Sequence, residues 1–154
     1  MKLLTETNTK LISASILLLR IMSGLILFVA GAGKVAGWFG GFGMTATLNM
    51  FQTNMHLSAF WTYLSCYTEF IGGFLIMIGL LTRFAAVALI INMLVATWFV
   101  GLKNFFLGGA AYPFLLMVIF LVILLTGPMR YSIDALLSNR KRTENPKVKF
   151  NAAF

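Results

Sequence analysis

The sequence predicts an all-α membrane protein, a four-transmembrane-helix antiparallel bundle with a Gly- and aromatic-rich outer loop. Three observations carry that prediction. The 154 residues are 60% hydrophobic and 10% charged, whereas a soluble domain carries about 25% charged residues. Four apolar runs, about 11–31, 60–81, 84–101 and 111–127, each approach the roughly 20 residues that take a helix across ~30 Å of hydrocarbon. These runs are continuous rather than alternating, which excludes the strands of an outer-membrane barrel. Mean hydropathy is +0.91.

Residues 1–10 are polar and precede the first span. Ala30-Gly31-Ala32 has the small-x-small form of a signal-peptide cleavage site. The apolar stretch before it exceeds the roughly 7–15 residues of a signal core and contains Arg20, so it reads as a retained span. The first connection, 32–59, holds Gly37, Gly40, Gly41 and Gly43 beside Trp38, Phe39 and Phe42. Glycines permit sharp turns there, and the aromatic rings suit the headgroup level. Met44, Leu48, Phe51 and Met55 fall near helical spacing and predict a short amphipathic helix at the outer surface. Leu81-Thr82-Arg83 is a very short hairpin, which makes the second and third spans antiparallel neighbours. Tyr112-Pro113 opens the fourth span, where proline in the first turn is tolerated. Gly127-Pro128 ends it. A short interfacial helix is expected next, capped by Ser132, with Arg130 and Asp134 at i, i+4. One domain, 1–137, is therefore expected, followed by a basic, disordered tail at 138–154.

The formal net charge is +8, and half of the twelve basic residues, Arg130, Arg140, Lys141, Arg142, Lys147 and Lys149, follow the last span. Lys2, Lys10 and Arg83 fall on the same side, and Lys34 and Lys103 on the other. Basic residues gather on the cytoplasmic side, so both termini are expected there. The tail reads as a topology signal that also touches anionic lipid, not as a nucleic-acid site. Cys66 is the only cysteine and His56 the only histidine. One chain can therefore supply neither a disulfide nor a C-x-x-C pair, and neither bis-histidine haem ligation, a Cys-ligated cluster nor a His/Cys zinc site. No metal site is expected. Any redox chemistry would run on a partner or on a diffusible organic cofactor.

Two charges interrupt the spans. Arg20 lies in the first run and Glu69 in the second, and a charge at that depth is costly by about 3 kcal/mol on insertion scales. Counting ~1.5 Å per residue from the cytoplasmic end of each run puts Arg20 roughly 14 Å deep, Glu69 about 18 Å and Asn92, in the third span, about 12 Å. These depths predict an Arg20–Glu69 pair with Asn92 nearby. Lys34 lies above as a secondary cation, or as a side chain snorkelling to the interface. Cys66 and Gly73, at i−3 and i+4 from Glu69, share its helix face, and with Trp38 they are candidate pocket lining. The competing reading of the pair is a pin that fixes helix register. Gly24, Gly72 and Gly73 read first as close-packing positions, Trp38 and Trp61 as interface anchors, and Cys66 as a small packed residue.

The stretches LLLRIMSGLILFVAGAGKVAGWFGG, TEFIGGFLIMIGLLTRFAAVALIINMLVA and AYPFLLMVIFLVILLTGPMRYSIDALL together resemble the DoxX family over about residues 17–137. Arg20 and Lys34 look like its first-span basic residues. Glu69, Gly72-Gly73, Gly79 and Thr82-Arg83 look like its second-span signature, and Gly127-Pro128 with Tyr131-Ser132 and Asp134 like its C-terminal one. Met129 stands where glycine is commoner. The resemblance implies a four-helix integral protein of a prokaryotic cytoplasmic (inner) membrane. The family includes a subunit associated with thiosulfate:quinone oxidoreductase and a terminal quinol oxidase. Another member is linked to an oxidative-stress complex with superoxide dismutase and a sulfurtransferase. The expected function is a membrane subunit, not an enzyme on its own, that binds a quinone-like or small anionic ligand at the Arg/Glu site. It would work beside a redox partner, with a homo-oligomer also open. A small-anion carrier and an anchoring or assembly factor without ligand are the alternatives.

Overall fold

The computed structural model describes residues 9–100, 109–127 and 132–134, and these form helices joined by short turns and irregular connections. Helix α1 spans Thr9–Ala36, α2 Gly43–Met55, α3 Ala59–Ile78, α4 Thr82–Val100 and α5 Ala111–Thr126, with a 3-10 turn at Trp38–Gly40. The four apolar runs thus become α1, α3, α4 and α5, and the amphipathic stretch in the first connection becomes α2. Leu11–Ala36 and Thr82–Val100 are long and apolar enough to cross a bilayer. The interfacial helix expected after Pro128 lies largely outside the described residues, as do Arg130 and the basic tail.

Helix α1 runs antiparallel to α3 along a seam of small residues. A Cβ on Gly73 would lie 2.6 Å from the Phe28 amide nitrogen, and one on Gly24 2.7 Å from the Gly73 carbonyl oxygen. Gly31 abuts the Phe70 backbone in the same way. Without side chains between them the two backbones approach closely, which is how helices associate where lipid removes the hydrophobic drive. Phe28 stacks on Phe70 beside the seam, ring centroids 5.1 Å apart. α4 packs on α3 and α5 on α4, and α5 also touches α1, which closes the ring. Leu27, Ile76, Leu89, Phe120 and Ile123 fill its centre. Leu18, Leu25, Ile71, Phe84, Ile91, Leu115 and Leu125 point outward and are exposed. Such an apolar perimeter is costly in water and neutral in hydrocarbon.

The α3–α4 hairpin is tied from a distance. Gly79 ends α3 at φ 73°, ψ 40°, and its amide and that of Leu80 bond back to the Leu75 carbonyl at 2.9 and 3.0 Å. This is the left-handed helix end that glycine favours. The first amides of α4 need outside acceptors, and Asp134 supplies them. Its carboxylate accepts hydrogen bonds from the amides of Leu81 and Thr82, both at 2.9 Å, and from the Thr82 hydroxyl at 2.8 Å. The Asp134 amide donates to the Gly79 carbonyl at 3.0 Å. A residue beyond α5 therefore caps α4. Burial alone would raise the Asp134 carboxyl. The Thr82 and Leu81 hydrogen bonds, with the Arg20 guanidinium, instead hold it below the usual carboxylate range.

Candidate functional site

Glu69 faces α1 from the middle of α3, and its partner is Lys34. The ammonium and Glu69 Oε2 are 2.5 Å apart. Lys34 stands in the last turn of α1, where the helix dipole favours a cation. Its Nζ also lies 6.0 Å from the centroid of the Phe51 ring on α2, at the outer limit of cation–π attraction. From α4, Asn92 Nδ2 approaches Glu69 Oε1 at 3.4 Å. The Ser65 hydroxyl donates to Asn92 Oδ1 at 2.8 Å, so the amide is held with its NH₂ toward the carboxylate. The Glu69 side chain is 6% exposed and that of Lys34 32%.

This cluster lies in the wall of a cavity of about 760 Å³ bounded by all five helices. The rest of the wall is mainly apolar: Leu27 from α1, Met50 and Phe51 from α2, Trp61 and Leu64 from α3, Ile91, Val95 and Phe99 from α4, and Pro113 from α5. Trp61, Leu64, Ile91 and Val95 are also exposed. The cavity therefore opens on the apolar outer surface between α3 and α4, and its wall continues through Met55, Leu57, Val100 and Gly109 at the end of the bundle that carries α2. Tyr112 lines it from the first turn of α5. A mostly apolar cavity with a few convergent polar groups is the usual form of a small-molecule site. Because Lys34 and Glu69 compensate each other, the site is neutral overall, with donors from the ammonium and the amide.

The structure corrects the predicted Arg20–Glu69 pair. Arg20 is 1% exposed, and its Nε donates to the Ile76 carbonyl at 3.2 Å, in the last turn of α3. Its guanidinium fills the space a Cβ on Gly79 would need, close to the side chain of Ser132. Glu69 is seven residues from Ile76, about 10 Å along the helix axis. The depth count took the ends of the apolar runs as level. The glycine seam sets the register instead, and it slides α1 so that Lys34, not Arg20, meets Glu69. Arg20 then satisfies a helix-end carbonyl and, electrostatically, Asp134.

Of the other predicted site residues, Asn92 joins the cluster. Trp38 lines a smaller chamber of about 490 Å³ on the far side of Lys34. Cys66 is fully buried and lines neither cavity. Gly73 belongs to the α1–α3 seam. Sequence reasoning missed Ser65, Tyr112 and Phe51. Ser65 stands at i−4 from Glu69, so helical spacing could have found it. Among the described residues no three His, Cys, Asp or Glu side chains converge as metal ligands would.

The DoxX family model matches residues 15–102 of the chain. A Bacillus subtilis (strain 168) protein named "Putative oxidoreductase CatD" is 33% identical over 129 residues, covering 84% of this chain and 91% of that protein. The "Inner membrane protein YqjF" of Escherichia coli (strain K12) is 30% identical over 135 residues, covering 85% of this chain and 98% of that protein. No solved structure matches the chain. The family match spans more than half of the sequence, and both relatives align over nearly their whole length. Together with the apolar perimeter they identify this chain as a membrane protein of the DoxX family.

Proposed function

We propose that this protein is a multi-pass membrane subunit, with α1, α3, α4 and α5 as its spans, that holds a lipid-soluble, quinone-like ligand beside Lys34, Glu69 and Asn92. The observation that carries this reading is the Lys34–Glu69–Asn92 cluster in the wall of a mainly apolar cavity that opens on the apolar outer surface of the bundle. A ligand dissolved in the bilayer would enter between α3 and α4. Its carbonyl oxygen would accept from the Lys34 ammonium or the Asn92 amide, and its ring would lie among Phe51, Trp61 and Leu64. Glu69 would balance the Lys34 charge or accept a proton. With a single cysteine and a single histidine in the sequence, electrons would pass to or from a partner protein of sulfur or oxygen metabolism, or of oxidative-stress defence. The name of the Bacillus relative agrees with a redox setting. The charge pattern supports an inner-membrane location with both termini cytoplasmic.

The small-anion carrier fits this geometry less well. An anion site needs uncompensated positive charge, whereas Lys34 already contacts Glu69 and Arg20 serves the opposite end of α3.

The test is quenching of Trp61 fluorescence by decyl-benzoquinone in detergent micelles, with Trp38 and Trp98 replaced by Phe. Saturable quenching is expected, weakened about tenfold by Asn92→Ala, the loss of one hydrogen bond of about 1.4 kcal/mol. Quenching that rises linearly with quinone and is the same in both proteins would refute the reading. It would leave the anchoring role, in which the Lys34–Glu69 pair only fixes register.

A further inference from the structure

The ion pair is approached from two directions. Besides the large lateral cavity, a second chamber of about 490 Å³ reaches Lys34. Its walls are Val29 and Gly33 of α1, the strap Trp38–Phe42, and Ala46 and Thr47 of α2. Ala30, Lys34, Met50 and Phe51 line both spaces. Lys34 therefore stands in the partition between them.

The strap is held open as an arch. Gly37, Phe39 and Gly40 all have positive φ, at 70°, 56° and 80°, and Gly41 lies directly on the backbone of Gly33. Trp38, Phe39 and Phe42 stay exposed, at 55%, 70% and 83%. Aromatic side chains of this kind favour the membrane–water boundary, which is where the strap over the chamber is expected to sit. Lys34 has side-chain exposure of 32% against 6% for Glu69. The chamber is many times the ~30 Å³ that one water occupies in the liquid.

Among the described residues, the other end of the pair is closed by packed side chains. Between Glu69 and the α3–α4 hairpin, Leu27, Ile76, Leu89, Phe120 and Ile123 are at most 1% exposed. Beyond them Arg20, Gly79 and Asp134 close the hairpin. A packed apolar layer about 10 Å deep, seven residues of α3, excludes water and ions.

We propose that small water-soluble species reach the Lys34–Glu69 pair from one membrane face only, the face that carries α2, through the chamber under the Trp38–Phe42 strap. The site then has two doors of different chemistry. A lipid-soluble molecule enters from the side, and water or protons enter from the α2 face. The pair is sealed from the face where α1 begins. This sidedness needs no ligand and stands apart from the quinone reading.

The experiment uses the full chain in oriented membrane vesicles, with Cys66→Ala removing the native thiol. Ala30→Cys places a thiol beside Lys34 without breaking the ion pair, and Lys34→Cys is its companion. An anionic, membrane-impermeant methanethiosulfonate is added to either face. Protease digestion of an N-terminal tag marks the face where α1 begins. Ala30→Cys is expected to label at least tenfold faster from the opposite face, with Ala46→Trp, on the exposed side of α2, slowing that labelling at least tenfold. Labelling from the tag face, from both faces equally or from neither overturns the proposal, as does labelling that Ala46→Trp leaves unchanged. Size-exclusion elution shows that each variant is folded. The quenching assay uses ligand and this one does not, so failure of either is distinguishable from failure of the other.

Discussion

Removing the positive partner of Glu69 tests the register of the whole bundle. Lys34→Met keeps most of the side-chain volume and leaves the carboxylate, 6% exposed, with only Asn92 at 3.4 Å. Breaking a buried ion pair from one side costs about 3–5 kcal/mol. Lys34 is one-third exposed, so solvent screens part of that attraction and about 2–3 kcal/mol is expected. Adding Glu69→Gln removes the orphaned charge and should restore most of the loss, because a neutral amide can still bond Asn92. The same double-mutant cycle with Arg20→Met should show coupling to Glu69 below about 0.5 kcal/mol, the level of independent sites. Unfolding by SDS in mixed micelles, followed by far-UV circular dichroism, reads both cycles. Strong coupling of Glu69 to Arg20, with none to Lys34, would refute the register set by the glycine seam.

The remaining expectations use the same unfolding assay. Gly73→Ala places a methyl group 2.6 Å from the Phe28 amide nitrogen, so it should destabilise the bundle by about 1–3 kcal/mol, the usual cost of overpacking; an unchanged midpoint would mean that α1 and α3 are not in close contact. Asp134→Ala removes the acceptor for the first amides of α4 and should cost about 1–2 kcal/mol at pH 7. The Asp134 carboxyl is depressed in the folded state, so the unfolded chain binds its proton first as pH falls. Its contribution is complete above the unfolded value of about 4 and declines as pH drops through the folded value. The gap between wild type and Asp134→Asn should therefore close in acid, and a gap that widens below pH 4 would reverse the sign argued here. Ser65→Ala frees the Asn92 amide to rotate; it should weaken decyl-benzoquinone binding several-fold while leaving the unfolding midpoint within about 0.5 kcal/mol.

Sequence reading located the helices because each run announces itself by composition. It placed α2 from the spacing of Met44, Leu48, Phe51 and Met55, and the observed helix is Gly43–Met55. It also singled out Arg20, Lys34, Glu69 and Asn92, since a polar group in an apolar run is visible without coordinates. Two things it could not supply. The partner of Glu69 depends on how far α1 slides along α3, and the apolar ends of a run mark that only to within a few turns. The partner of Asp134 lies more than 50 residues away in sequence, at Leu81 and Thr82, where the local pattern pointed to Arg130.

The sequence by itself determined the chemistry available to this protein: helices suited to lipid, one cysteine, one histidine, and a handful of polar side chains that must find partners away from water. That much follows from composition and period, because hydrocarbon admits few ways to satisfy a backbone. Tertiary structure decided which polar groups meet. Gly24, Gly31 and Gly73 let α1 and α3 touch at one register. That register gives Lys34 to Glu69 and Arg20 to the Ile76 carbonyl, and it leaves the ion pair between the large cavity and the smaller chamber under the Trp38–Phe42 strap.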